Sequence, residues 1–327
     1  MIDSKSSRRQ FLGAAAMAGA WAAMPARANA YPDRPVKWIV PYPTGGVVDI
    51  AARIVADSVA ASWGQPVVVE NRAGANGNIG VDAVRSAKPD GYTLLVGSMS
   101  VVINPLIDKS SRFTAEDFEP IAFLGAPPNL LVVPASSPVK TLKEFVALAR
   151  QNPGKFNTPN PGSGSSNHLG LEILQQASGI ELVQVNYKGQ PPFIIDLING
   201  QLHFAYITTA LALPHIATGK LRVLAVGSNQ RLKALPDVPT LAEAGYPGTA
   251  VLPWNGLFAP VGTPRAAIES LAAEVEKALR TPEAVRRHET ISAEVSSTPL
   301  EFPRFVEAEK VRWKKIVAER KITADAL

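Results

Sequence analysis

Val40-Pro-Tyr-Pro-Thr-Gly-Gly-Val-Val-Asp-Ile-Ala-Ala-Arg53 links an apolar run, Val36–Val40, to a segment with apolar residues at 47, 50, 51, 54 and 55. The run reads as a buried strand and the spacing as one face of a helix. Between them Gly45 and Gly46 let the backbone approach a ligand closely, because no Cβ intervenes. A strand, a Gly-rich turn and a helix N-terminus aim backbone N–H groups and the positive end of the helix dipole at an anion. No Lys follows the glycines, so this is not a phosphate-binding GxxxxGK[ST] loop. The guest it fits is smaller, a carboxylate. Asp49, at the start of the helix, is expected to hold loop N–H groups, with a ligand-bridging water as its alternative partner.

The same alternation continues outward. Residues 67–69, 94–96, 130–133 and 223–226 are further apolar runs without polar interruption, the pattern of parallel strands covered on both faces. Apolar periodicity predicts helices over 47–62, 79–87, 141–151, 168–177, 192–199, 265–280 and 300–318. Strands alternating with helices indicate an α/β protein with open, mostly parallel sheets, whose ligands bind outside the carboxyl ends of strands. Residues 125–134 and 248–260 combine chain breakers with a strand-like run and read as crossings between two lobes. If they pair, 131–253 forms one lobe and 31–130 with 254–327 forms the other.

Composition narrows the class. The 327 residues carry 33 Lys and Arg against 28 Asp and Glu, a formal charge of +5. The first thirty hold Lys5, Arg8, Arg9 and Arg27 against Asp3, so the remainder stands near +2. No basic stripe of the kind that binds nucleic acid is present. Cysteine is absent, so stability must come from a core rather than from disulfides, and about 300 residues suffice for that. Ser7-Arg-Arg-Gln-Phe-Leu-Gly13 reads as a twin-arginine export signal, whose route carries folded chains. The apolar stretch over 11–24 is shorter than the ~20 residues of a membrane span. Ala28-Asn29-Ala30 presents small residues to a signal peptidase, so cleavage is expected after Ala30 and the periplasm is the expected destination.

Other loops carry matching chemistry. Thr158-Pro-Asn-Pro-Gly-Ser-Gly-Ser-Ser-Asn-His168 precedes a helical pattern. Ser163, Ser165 and Ser166, with Gly164, form a cradle rich in donors, and Ser165, Ser166 or Asn167 can cap the helix. Glu70-Asn-Arg-Ala-Gly-Ala-Asn-Gly-Asn-Ile-Gly80 spaces its glycines as GxxGxxG around Gly77, which is not the dinucleotide pattern. Ser98 and Ser100 end a strand and can add hydroxyls to the same cleft. Enzymatic constellations are sparse: Ser166 stands where a hydrolase elbow has glycine. The four histidines, His168, His203, His215 and His288, show no metal-ligand spacing. No metal and no cofactor are expected. His168 is expected to orient its loop through a hydrogen bond.

These segments resemble the extracytoplasmic solute receptors of tripartite tricarboxylate transporters, the Bug-type binding proteins. The resemblance rests on the 40–53 and 70–80 segments, on Lys88-Pro-Asp-Gly-Tyr-Thr-Leu95, on the loop at 162–168 and on Tyr187-Lys-Gly189. It continues through Gly219-Lys-Leu-Arg-Val-Leu-Ala-Val226, Leu235-Pro-Asp-Val-Pro-Thr240, Glu243-Ala-Gly-Tyr-Pro-Gly248 and Gly256-Leu-Phe-Ala-Pro-Val-Gly-Thr-Pro264. It implies a two-lobed type II periplasmic binding fold, a Venus flytrap without enzymatic activity. A small carboxylate would be held by 42–46, with Tyr42, Thr44, Gly45 and Gly46, from one lobe and by 163–166 from the other. The partners implied are the integral membrane subunits of the transporter, and a monomer is expected because the lobes must open and close freely. One departure follows Gly200-Gln201-Leu202, where the family commonly has acidic residues. Here His203-Phe-Ala-Tyr-Ile-Thr-Thr209 puts His203 and Ile207, the latter beside Thr208, at those positions. Within the di-, tri- or aromatic carboxylates that the family implies, an aromatic carboxylate or an apolar dicarboxylate without an amine would suit that change, and Tyr206, Phe193 and Trp254 read more as core than as pocket. Two other readings stay open: a subunit presenting its ligand to a membrane signalling protein, and, remotely, a serine hydrolase using Ser163 or Ser165 with His168.

Overall fold

The computed structural model describes residues 31–162, 164–187, 189–290 and 301–324. The twin-arginine segment and the small residues at 28–30 lie outside them. The chain opens with β1 (Val36–Val40), α1 (Val47–Trp63), β2 (Val67–Asn71), α2 (Asn78–Arg85), β3 (Thr93–Ser98), α3 (Ser100–Ile107) and β4 (Phe118–Gly125). It crosses to β5 (Asn129–Pro134), α4 (Leu142–Gln151), β6 (Asn157–Asn160), α5 (Ser166–Ser178), β7 (Val183–Asn186) and α6 (Phe193–Ile198). There it continues through β8 (Ala205–Thr208), α7 (Thr209–Ala217) and β9 (Leu221–Val226). It returns in β10 (Asn255–Pro260) and ends with α8 (Arg265–Leu279), α9 (Pro282–Thr290) and α10 (Phe302–Arg320).

The first sheet has the order β2-β1-β3-β10-β4. β1 pairs in parallel with β2 and β3, while β10 runs antiparallel to β3 and β4. β1 is apolar except at Lys37, which pairs with Glu70 on the neighbouring strand, and its Val36, Trp38, Ile39 and Val40 are all buried. α1 turns its Ala51, Ile54, Val55 and Val59 face inward, then stops at Gly64, whose left-handed backbone closes the last turn on Ala60 O. In the second lobe, β8-β5-β9 form one sheet and β6-β7 a parallel pair.

Two features bind the lobes together. The crossing segments meet at one registered pair, Gly125 with Asn255, and then diverge into different sheets. α5 is shared: Leu169 and Ile173 pack into the first lobe's core with Trp254 and Phe258, while Leu171 and Leu174 pack into the second with Phe145 and Phe204. The 3.6-residue repeat places these two pairs on different faces of one helix. The loop at the α5 N-terminus is therefore anchored to both cores.

Three expectations change. The runs at 130–133 and 223–226 lie in β5 and β9, which pair antiparallel. An uninterrupted apolar run reports burial on both faces and carries no information about direction. α3 and α7 were not expected, because Pro105 and Pro214 interrupt their patterns. The 158–168 loop starts inside a strand, since β6 is polar and contains Pro159.

Candidate functional site

Three strand ends of the first sheet converge on the loop after β1. Tyr42 Oη lies 2.7 Å from Ser98 Oγ and 2.7 Å from Ser100 Oγ, and the two serine oxygens are 3.0 Å apart. Three hydroxyl protons can serve these three edges, and a ligand oxygen within reach takes one by rotation of a hydroxyl. Burial raises the pKa of the Tyr42 phenol, against the pull of the two serines, so it is a neutral donor. Gly77 packs beside this ring; a Cβ there would stand 3.5 Å from Tyr42 Cε1. Thr44, Gly45 and Gly46 form the exposed tip, and Gly45 takes φ +82°, which the turn requires of a glycine.

Asp49 organises this loop from below. Its carboxylate accepts from Gly45 N–H at 2.9 Å, Arg53 Nε at 3.0 Å and Asn71 Nδ2 at 2.9 Å, with Arg53 Nη2 at 3.0 Å. Burial pushes this carboxyl up, but the bonds from Arg53, Gly45 and Asn71 outweigh it and hold it below the ordinary carboxylate range. Three donors hold the carboxylate, and Arg53 Nη2, which donates to Asn71 Oδ1 at 2.9 Å, adds its charge beside it. Asp49 therefore shapes the loop, the role expected of it, by holding the Gly45 N–H. Asn71, which the sequence did not single out, also donates to Tyr42 O at 3.0 Å.

The second wall lies at the carboxyl ends of β6, β7 and β8. Ser165 caps α5, its Oγ accepting the His168 N–H at 3.2 Å. His168 Nδ1 accepts the Gly164 N–H at 3.1 Å, the orienting role expected of it. Burial holds its imidazole down to about 4, so near neutral pH the ring is uncharged with its proton on Nε2. Ser166 Oγ accepts from Asn129 Nδ2 at 3.0 Å. Thr208 bonds to Gln190, another residue the sequence left unremarked. Ser163 lies outside the described residues.

The walls face each other closely. A Cβ on Gly162 would stand 3.2 Å from Asn76 Oδ1, and one on Gly164 would stand 2.9 Å from Ile107 Cδ1 and 3.0 Å from Asn104 Oδ1. The second-lobe loop thus sits against the 75–77 turn and α3, a few residues from Tyr42 and Ser100. Nothing here makes a Ser–His catalytic pair among the described residues. Ser165 Oγ bonds to the His168 backbone, and the imidazole Nδ1 is taken by Gly164.

Ile207 is corrected outright. It has no solvent exposure and packs with Leu130, Val132, Phe193 and Ala212 in the second core. Its neighbours in β8 alternate: Tyr206 faces the other core with Leu131. Both faces of this sheet are covered, so its strand opens to the cleft only at its end, Thr208. The apolar residue at 207 serves packing, and the ligand preference drawn from it falls. Tyr206, Phe193 and Trp254 are core residues, each almost wholly buried.

The profile described as "Tripartite tricarboxylate transporter family receptor" matches residues 51–322. The chain belongs to this receptor family. It is 36% identical over 307 residues to protein BugT of Bordetella pertussis, covering 93% of this chain and 94% of that one. It is similar to R. palustris Rpa4515, solved with adipate, with TM-score 0.81 and 33% identity over 90% of this chain and 99% of that one. MatC from Rhodopseudomonas palustris, solved with bound malate, gives TM-score 0.79 and 31% identity over 88% of this chain and 100% of that one. Receptors of this family are periplasmic solute-binding proteins rather than enzymes, and the fold is their two-lobed type II fold.

Proposed function

We propose that this receptor captures a small carboxylate in the cleft between its lobes and delivers it to the integral membrane subunits of a tripartite transporter. The observation that carries this reading is the facing of two neutral, donor-rich walls: Tyr42, Ser98, Ser100 and the α1 N-terminus on one side, the hydroxyls of Ser165 and Ser166 at the α5 N-terminus on the other. Arg53 is compensated by Asp49, so the first wall offers dipoles rather than free charge. Helix N-termini, hydroxyls and backbone N–H groups bind anions in this way. The adipate and malate seen in related structures are ligands of the same class. The lobes are assigned as 31–130 with 254–327, and 131–253, and the receptor acts as a monomer that closes on its ligand. Export by the twin-arginine route, with cleavage after Ala30, brings it to the periplasm.

The test is a thermal-shift and calorimetry panel on the chain from Tyr31 onward, covering mono-, di- and tricarboxylates, amino acids and sugars. A carboxylate at ~100 times its dissociation constant is expected to add about 2.7 kcal/mol of stability. Tyr42→Phe, which removes one hydroxyl from the triangle, is expected to weaken that ligand about tenfold. Binding of sugars alone, or carboxylate binding indifferent to Tyr42→Phe, would refute the assignment.

A further inference from the structure

One carboxylate oxygen on α5 is the meeting point of three polar side chains that each end on a backbone N–H. α5 gives Leu169 and Ile173 to one core and Leu171 and Leu174 to the other. Glu172, Gln175 and Gln176 lie on its remaining face, where half-buried Glu172 lines a shallow surface concavity with them and Ile180. This face is used by none of the ligand contacts described above.

The direction of each relay is fixed, because a backbone N–H can only donate. Asn160 Oδ1 accepts the Gly162 N–H at 2.9 Å, so its Nδ2 donates to Gln184 Oε1 at 3.1 Å. Gln184 is thereby left with Nε2, which donates to Glu172 Oε1. Gln175 Oε1 accepts the Leu182 N–H at 2.7 Å, and its Nε2 donates to the same Glu172 oxygen at 3.4 Å. His168 Nδ1 accepts the Gly164 N–H at 3.1 Å, which puts its proton on Nε2, 4.0 Å from Glu172 Oε1. All three relays thus present N–H groups, and an acceptor must stand where they meet.

Two of the three end in the cradle, at Gly162 and Gly164. Ser165 N–H bonds back to Gly162 O at 3.2 Å while Ser165 Oγ caps α5, so the serine hydroxyls are placed by the seating of these glycines. We infer that Glu172 is a positioning residue for carboxylate capture, which sets the cradle loop from outside the cleft through Gln184 and Asn160 on one branch and His168 on the other. This rests on the carboxylate-receptor reading and deepens it. The loop has other ties, Tyr187 N–H to Asn160 O at 2.9 Å and Gly189 N–H to Pro161 O at 3.3 Å. Loss of Glu172 should therefore shift the loop rather than unfold it, and the cost should fall on affinity.

Amide exchange followed by NMR, with calorimetry on malate, succinate and adipate, tests this on the chain from Tyr31 onward. Glu172→Ala is expected to speed exchange at Gly162 and Gly164 about tenfold and to weaken the tightest of the three acids about tenfold. Glu172→Gln, whose amide oxygen can accept the same donors, is expected to stay within about twofold of the unsubstituted receptor in both. Gln184→Leu cuts one branch alone and supplies the test if the Ala variant fails to fold: Gly162 exchange should quicken, Gly164 exchange should not, and affinity should fall about threefold. Unchanged affinity in a folded Glu172→Ala or Gln184→Leu chain, a Gln variant no better than the Ala variant, or equal effects of Gln184→Leu on both glycines overturns the positioning role and leaves the carboxylate clamp standing. If none of the three acids binds the unsubstituted chain, the carboxylate reading falls and this inference with it.

Discussion

Acid should loosen the second-lobe cradle through His168. The imidazole is buried, accepts the Gly164 N–H on Nδ1, and is held down to about 4 by burial. In the unfolded chain its value is near 6.5. Between these values the unfolded state binds more protons than the folded one, so stability falls as pH falls from about 6.5 to about 4, and is fully present above that window. A displacement of this size corresponds to about 3 kcal/mol. Protonation also removes the only acceptor on Nδ1, releasing Gly164 and with it the loop that Ser165 caps. His168→Asn is the matched control, because its amide oxygen can take the Gly164 N–H without titrating. Urea unfolding at intervals from pH 7.5 to 4.5 should show the unsubstituted chain losing most of that 3 kcal/mol more than the Asn variant. Asp49 cannot imitate this loss, since its depressed carboxyl contributes above about pH 4 and is lost only below it. His288, also depressed by burial, is common to both proteins and cancels in the difference. Identical pH dependence of the two chains would refute a neutral, buried His168.

Two further outcomes follow from contacts. Gly164→Ala forces a side chain onto φ +74° and sets a Cβ 2.9 Å from Ile107 Cδ1; a loss of about 1–3 kcal/mol in urea unfolding is expected, with weaker carboxylate binding by calorimetry, and no change in either would refute the close seating of this loop. Glu309 Oε2 accepts from Trp254 Nε1 at 3.0 Å and from Trp313 Nε1 at 2.9 Å. Glu309→Ala leaves both buried indoles unpaired and should destabilise the chain by about 2–4 kcal/mol, with Glu309→Gln recovering part of it; equal stability of all three proteins would show the indoles to be satisfied elsewhere.

Much of the secondary structure was legible because it is written in local periodicity. The helix starting at Val47, its glycine-bearing entry and the Ser165 cap follow from residues within a few positions of each other. The chemistry of the cradle, hydroxyls and glycines at strand ends, was legible for the same reason. The helices with internal proline, α3 and α7, were not, since the tertiary packing of Val101 and Ile103 in one and of Ala212 in the other outweighs the local penalty.

The sequence by itself determined where strands, helices and ligand loops fall, because apolar spacing and turn residues act over short range. Only the tertiary structure decided which of those residues meet. Tyr42 reaches Ser98 and Ser100, 56 and 58 positions away, because β1 and β3 are parallel neighbours whose ends lie together. Ile207 is kept out of the cleft because β8 is covered on both faces and opens only at Thr208. Spacing reports that a residue is buried; strand order, direction and register, set by the packing of the whole lobe, determine against what.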